Sequence, residues 1–147
     1  MTREQIVALF EKAQHAIAAR DAAGMAGLHA ETCVLDSPTA GGPVTGRSAI
    51  TRVYETWFRG FPDLTATYDE LLVDGDRVAQ LMTVSGTDTG GFLGLPPTGK
   101  PFQIPILWLC TVKDDLIVRS RPIYDFTGLL VQIGVLKTKP MREMSSP

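Results

Sequence analysis

Residues 3–20, REQIVALFEKAQHAIAAR, place apolar side chains at Ile6, Val7, Leu9, Phe10, Ala13, Ile17 and Ala18. Steps of three and four gather them on one broad face, so the stretch predicts an amphipathic helix. Thr2 suits its N-cap, and Gln5 completes a capping box. DAAGMAGLHA, 21–30, predicts a shorter helix capped by Asp21. ETCVLDSP then reads as a strand, in which Cys33, Val34 and Leu35 lead to Asp36 before Pro38 breaks it. TAGGPVTG reads as a loop. RSAITRVYETWFRGF, 47–61, predicts a third helix with Ile50, Val53, Tyr54, Trp57 and Phe58 along one side, stopped by Gly60 and Pro62.

After Pro62 the period shortens. LTATYDELLVDGDRVAQLMTVSGT predicts two strands joined at DGD. TGGFLGLPPTG, 89–99, is a Gly/Pro-rich loop that still carries Phe92, Leu93 and Leu95. KPFQIPILWLCTV, 100–112, is apolar at both parities, which predicts a strand covered on both faces. KDD turns the chain into LIVRSRPIYD, the last strand, and FTGLLVQIGVL predicts a terminal helix. Residues 1–136 thus form one domain, and 137–147 a polar, Pro-containing tail.

Helices first and hairpins after define an α+β class rather than an alternating α/β one. Three N-terminal helices must cover a curved, mixed or antiparallel sheet, and such a wrapped sheet encloses a cone-shaped apolar pocket. The outer face of the sheet also needs cover, which predicts a homodimer through that face. Gly41, Gly42, Gly90 and Gly91 open no helix, so no nucleotide-binding fingerprint is present.

Composition narrows the function classes. The 147 residues suit one ordinary domain, with 44% hydrophobic and 20% charged residues. A net charge of -2 without a Lys/Arg run argues against nucleic-acid or anionic-membrane partners. No leader pattern or membrane span stands out, so a cytoplasmic location is expected. Cys33 and Cys110 read as buried free thiols. His15 and His29 have no metal-ligand spacing, so no metal is expected; both read as helical and solvent-facing or capped rather than catalytic, though either could reach the cone from its helix.

Candidate chemistry centres on two aspartates. Asp125 sits at the seam of RPIYDFTGLLVQIG. It could cap the following helix, worth about 1 kcal/mol, or face an apolar pocket as a proton-passing carboxylate. Asp36 could start a turn or abstract a proton α to a carbonyl. Arg119 and Arg121 share the strand parity of Asp125, as an exposed pair or a clamp on an enolate. Tyr54, Trp57, Phe58, Phe92, Trp108 and Tyr124 are the expected pocket walls, and Tyr54 or Tyr124 could bond a ligand carbonyl.

The element order resembles the nuclear transport factor 2-like cone fold over nearly the whole chain. Within it, GTDTGGFLGLPPTGKPF and IYDFTGLLVQIG resemble the SnoaL-like polyketide cyclase (ester cyclase) family. The resemblance implies that Asp125 is the acid/base catalyst of an intramolecular aldol closure needing no metal or cofactor. Those cyclases also carry a histidine on the penultimate strand, whereas residues 100–112 contain none. LHAETCVLDSP resembles the steroid Δ-isomerase branch, which implies a proton-shuttling base at Asp36. The oxyanion-hole positions of that branch fall near Ala13 and in IPILWL, which lacks a carboxylate.

The expected function is therefore a cofactor-independent cyclase or isomerase acting on an apolar, carbonyl-bearing small molecule, with Asp36 assisting Asp125 and loop 89–98 gating the cone. The alternative is a non-catalytic ligand-binding or scaffold protein of the same fold. An epoxide hydrolase-like activity ranks third, because RVAQLMTVSGT lacks the Arg-x-Asp of that set.

Overall fold

The computed structural model describes residues 1–139. Helix α1 spans Arg3–Ala18. Its capping box is formed: Gln5 N donates to Thr2 Oγ1 at 3.1 Å, and Thr2 N to Gln5 Oε1 at 2.8 Å. Helix α2 spans Ala22–Gly27, with the Asp21 carboxylate accepting from Gly24 N at 2.8 Å. Strand β1 is His29–Ser37, β2 Gly42–Thr45, and helix α3 Arg47–Gly60. Strands β3 (Thr65–Asp74), β4 (Arg77–Thr87), β5 (Pro101–Lys113) and β6 (Leu116–Ile123) precede helix α4, Phe126–Gln132.

The six strands form one sheet in the order β2-β1-β6-β5-β4-β3. β1 runs parallel to β6 and every other pair is antiparallel, so the sheet is mixed. Two local expectations give way here. His29 belongs to β1 rather than to the second helix, because the Leu28 carbonyl accepts from Ile117 N at 2.9 Å and draws this segment into the sheet. The stretch read as a loop contains β2, which folds back on β1 through a 3-10 turn at Pro38–Ala40 and a left-handed Gly41. Both changes come from pairing partners distant in sequence or absent from local propensity.

The inner face of the sheet carries the core. Phe102, Ile104, Ile106, Trp108, Cys110 and Val112 of β5 all point inward and are buried. Phe61, Phe92 and Phe102 stack closely, with Phe61 4.6 Å from Phe92 and 4.5 Å from Phe102 between ring centroids. Gly60 allows this approach, since a Cβ there would lie 2.8 Å from the Phe92 Cα. Contrary to the expectation of cover on both faces, the outer residues of β5 are open in the single chain. Leu81, Leu107 and Ile123 stand in one cross-strand row on β4, β5 and β6, and all three are exposed.

β5 outruns β6, whose last paired residue, Ile123, faces Leu107. α4 covers part of the edge this leaves. The Gln132 side chain accepts from Gln103 N at 2.8 Å and donates to Gln103 O at 3.2 Å, as a neighbouring strand would. Leu129 and Ile133 are fully buried and hold the helix down.

Candidate functional site

Between the inner face of the sheet and the helices lies an almost wholly apolar cavity of about 80 Å³. Leu35 and Ser37 of β1, Met82 and Val84 of β4, and Ile106 and Trp108 of β5 line it from the sheet. Val53, Tyr54, Trp57 and Phe58 line it from α3, and Pro122 and Tyr124 from the end of β6. Five of the six aromatic residues expected as walls are therefore present. The sixth, Phe92, packs behind Trp57 at 5.2 Å and does not reach the cavity. The volume is well below the roughly 300–1,000 Å³ of a drug-sized ligand site. A large ring system therefore enters only if partly exposed wall residues such as Val53, Phe58 and Tyr124 move aside.

Few polar atoms reach this chamber. Ser37 Oγ and Thr39 Oγ1 lie 2.9 Å apart. The Tyr124 phenol sits against both, and its oxygen is buried without a hydrogen bond of good geometry. Burial raises the Tyr124 pKa, and the two neighbouring hydroxyls offset part of the rise. Burial likewise pushes Tyr54 far upward, so both phenols stay protonated. Trp108 is held as a wall by its Nε1–H, which donates to Ser120 Oγ at 2.8 Å.

His29 lies just beyond the wall, its ring 6.4 Å from both Tyr54 and Trp108. Far from facing solvent, it is fully buried. Nδ1 is 2.8 Å from the Met25 carbonyl, which can only accept, so Nδ1 carries the proton. Nε2 has no hydrogen-bond partner among the described residues. Desolvation, with Arg47 adding to it, lowers the His29 pKa to about 4 despite the bond to Met25.

The two aspartates do not line the cavity. Asp36 is exposed, between inward-facing Leu35 and Ser37, and points to the outer face. The expectation of an inward base at this strand end misses by one residue, and a shift of one residue in a strand changes the face. Ser37 occupies the inward position. Arg121 is corrected in the same way: with Arg77, Arg119 and Asp36 it borders a separate, more polar pocket of about 330 Å³ on the outer face, not the apolar chamber. The shared parity of Arg119 and Arg121 is real, but it is the outer parity.

Asp125 is exposed and caps α4, accepting from Gly128 N at 2.8 Å. A Cβ on Gly128 would collide with this carboxylate. Asp21 and Gly24 repeat the same Asp-x-x-Gly device at α2. The rest of the segment is also accounted for by docking: Leu129 fills the core, Gln132 covers the β5 edge, and Gly134 turns at φ 78°.

The other motif, around 86–99, is organised by Asp88, which sequence reasoning passed over. Its buried carboxylate accepts from Gly91 N, Phe92 N, Thr98 N and Thr98 Oγ1 at 2.9–3.2 Å. One side chain thus ties both ends of the loop together. Gly90 lies so close to the Arg59 carbonyl that a Cβ could not fit. The loop expected to gate the cone is anchored, and Leu93 and Leu95 at its tip are exposed, away from the cavity. Among the described residues no cluster of three His, Cys, Asp or Glu could hold a metal, and no helix is long and apolar enough to cross a membrane.

N-terminal helices packed over a mixed six-stranded sheet define a nuclear transport factor 2-like α+β protein. Residues 8–133 match the model of the SnoaL-like polyketide cyclase family, and the chain belongs to that family. TsrD from Streptomyces laurentii is similar at 25% identity and a TM-score of 0.80, over 92% of this chain and 99% of that one. IdmH from Streptomyces antibioticus, described as a putative polyketide cyclase, is 29% identical with a TM-score of 0.72, over 87% of this chain and 97% of that one. An NTF2-like protein of unknown function from Burkholderia pseudomallei K96243 shares the fold at 13% identity and a TM-score of 0.73, over 91% of this chain and 99% of that one. No curated protein sequence matches significantly.

Proposed function

We propose that this chain takes an apolar, carbonyl-bearing small molecule into the chamber and promotes its ring closure, as a cyclase of the polyketide type. The carrying observation is the chamber itself: five aromatic side chains wall an almost wholly apolar space in a chain of a polyketide cyclase family. Apolar walls favour the carbon skeleton, and exclusion of water strengthens every polar contact made inside. Asp125 is the proposed acid/base. It directly follows Tyr124, a wall residue, and would release Gly128 N to accept a substrate proton. The reading is tested with Asp125→Asn on a substrate whose ring closure is followed by mass spectrometry and absorbance. A loss of turnover with ligand binding intact is expected; full turnover removes Asp125 from the mechanism.

A second reading, ligand binding without turnover, is favoured by one specific observation. Among the described residues neither a carboxylate nor an imidazole lines the chamber. Under that reading Trp57 and Trp108 fluorescence responds to the ligand, which is recovered unchanged.

The exposed row of Leu81, Leu107 and Ile123 supports a homodimer through the outer face of the sheet. Sedimentation of the intact protein is expected to give a dimer, and Leu107→Asp a monomer. A wild-type monomer at micromolar concentration sinks that assignment.

A further inference from the structure

Three hydroxyl groups meet at one corner of the chamber, two of them on its wall and the third behind Ser37. Ser37 ends β1, Thr39 stands in the following turn, and Tyr124 follows β6. Ser37 and Tyr124 both face the cavity. Their hydrogens can be counted. Each hydroxyl supplies one O–H. The Ser37–Thr39 contact at 2.9 Å uses one of the three, whichever residue donates. The Tyr124 oxygen is buried against both of them, and among the described residues none of its contacts has good hydrogen-bond geometry. The Tyr124 O–H and the second hydrogen of the Ser37–Thr39 pair therefore have no well-formed acceptor among the described residues. Leaving buried polar groups unmade is costly, so this corner favours a guest that supplies the missing lone pairs.

The guest's charge is constrained too. Among the described residues no cationic side chain lines the chamber, so an anionic head group would enter unpaired at a large desolvation cost. A neutral ketone or ester oxygen carries two lone pairs and matches two donors. The geometry points to the Ser37–Thr39–Tyr124 corner as a carbonyl-recognition site that orients a neutral carbonyl compound by two hydrogen bonds. This rests on the chamber being the ligand site and names the group it recognises. The same two donors would stabilise negative charge building on that oxygen as its α-proton leaves, so the corner would also assist enolisation. Burial keeps Tyr124 protonated, and hence a donor, across the physiological range.

The test uses the intact protein and two probes of nearly equal shape, 1-tetralone and tetralin. They differ by the carbonyl and are small enough for a modest cavity. Binding is read from tryptophan fluorescence, since the Trp57 ring lies 5.5 Å from Tyr124. Tyr124→Phe keeps the ring and removes the donor. It is expected to weaken 1-tetralone about tenfold, the worth of one good hydrogen bond, and to leave tetralin unchanged. Ser37→Ala should do the same more weakly, because Tyr124 on the chamber wall can still donate. The carbonyl stretch of bound 1-tetralone should shift to lower frequency in the wild type, a reading that needs no variant. If both probes bind and neither variant changes their ratio, or if the carbonyl stretch does not shift, the corner does not recognise carbonyls while the chamber reading stands. If neither probe binds, both readings fall together.

Discussion

Replacing Asp125 separates its structural and chemical roles, because the side chains that preserve one do not preserve the other. Asparagine caps helices about as well as aspartate, so Asp125→Asn keeps the bond to Gly128 N and removes the carboxylate. Asp125→Ala removes both. The cap is exposed, so its loss costs about 1 kcal/mol, equivalent to about 4 °C in Tm for a domain of this size. Gly128 gives an internal check. In the wild type, Gly128→Ala drives a Cβ into the Asp125 carboxylate and should destabilise. In the Asp125→Ala background the carboxylate is absent, and alanine should show its helix advantage of up to about 1 kcal/mol over glycine. The two changes should therefore be strongly non-additive in a double-mutant cycle measured by urea denaturation. Additive effects, or an Asp125→Asn variant as unstable as Asp125→Ala, would refute the cap assignment. With stability controlled in this way, any activity lost in Asp125→Asn belongs to proton transfer.

Three further outcomes follow from the buried polar groups. His29 titrates near 4 in the fold against an ordinary 6.5, chiefly because burial penalises its charged form. The unfolded chain therefore binds the proton first: the stability is complete above pH 6.5 and is lost as pH falls toward 4, by about 3 kcal/mol. Urea midpoints between pH 7 and 4 should show that slope, and His29→Phe should flatten it. Asp88→Ala strips four hydrogen bonds from a buried site and should cost about 3 kcal/mol or more, with new proteolytic cleavage between 89 and 98; an uncleaved loop would mean that Asp88 does not hold it. Gln132→Ala should cost about 1 kcal/mol and speed hydrogen exchange at the Gln103 amide, whose partner is the Gln132 oxygen.

Helices and strands were legible wherever their cause is local. The α1 stripe and Thr2–Gln5 box, the cap at Asp21, the stop at Gly60 and the turn between β3 and β4 all depend on neighbours a few residues apart, and all stand as read. The aromatic walls were legible because residues at helical spacing on α3 had to face the sheet. The two motifs could be seen but not decoded. Asp88 lies just before the stretch read as a loop and drew no reading of its own, yet its partners at Gly91, Phe92 and Thr98 make it the anchor of the loop. A carboxylate placed three residues before a glycine, as at Asp21 and Asp125, was a readable sign of capping in both places.

By itself the sequence determined the α+β class, the helices with the caps at Thr2 and Asp21, the hairpins and an apolar chamber walled by aromatics, because periodicity, caps and turn residues act over a few positions. Only the tertiary structure decided which side chains enter that chamber. Face depends on register, and register depends on partners far along the chain. Pairing of β1 with β6 drew His29 into the core, turned Ser37 inward and left Asp36 and Arg121 on the outer face. A strand alternates its sides at every residue, so the identity of the polar corner rested on a single step that no local rule could set.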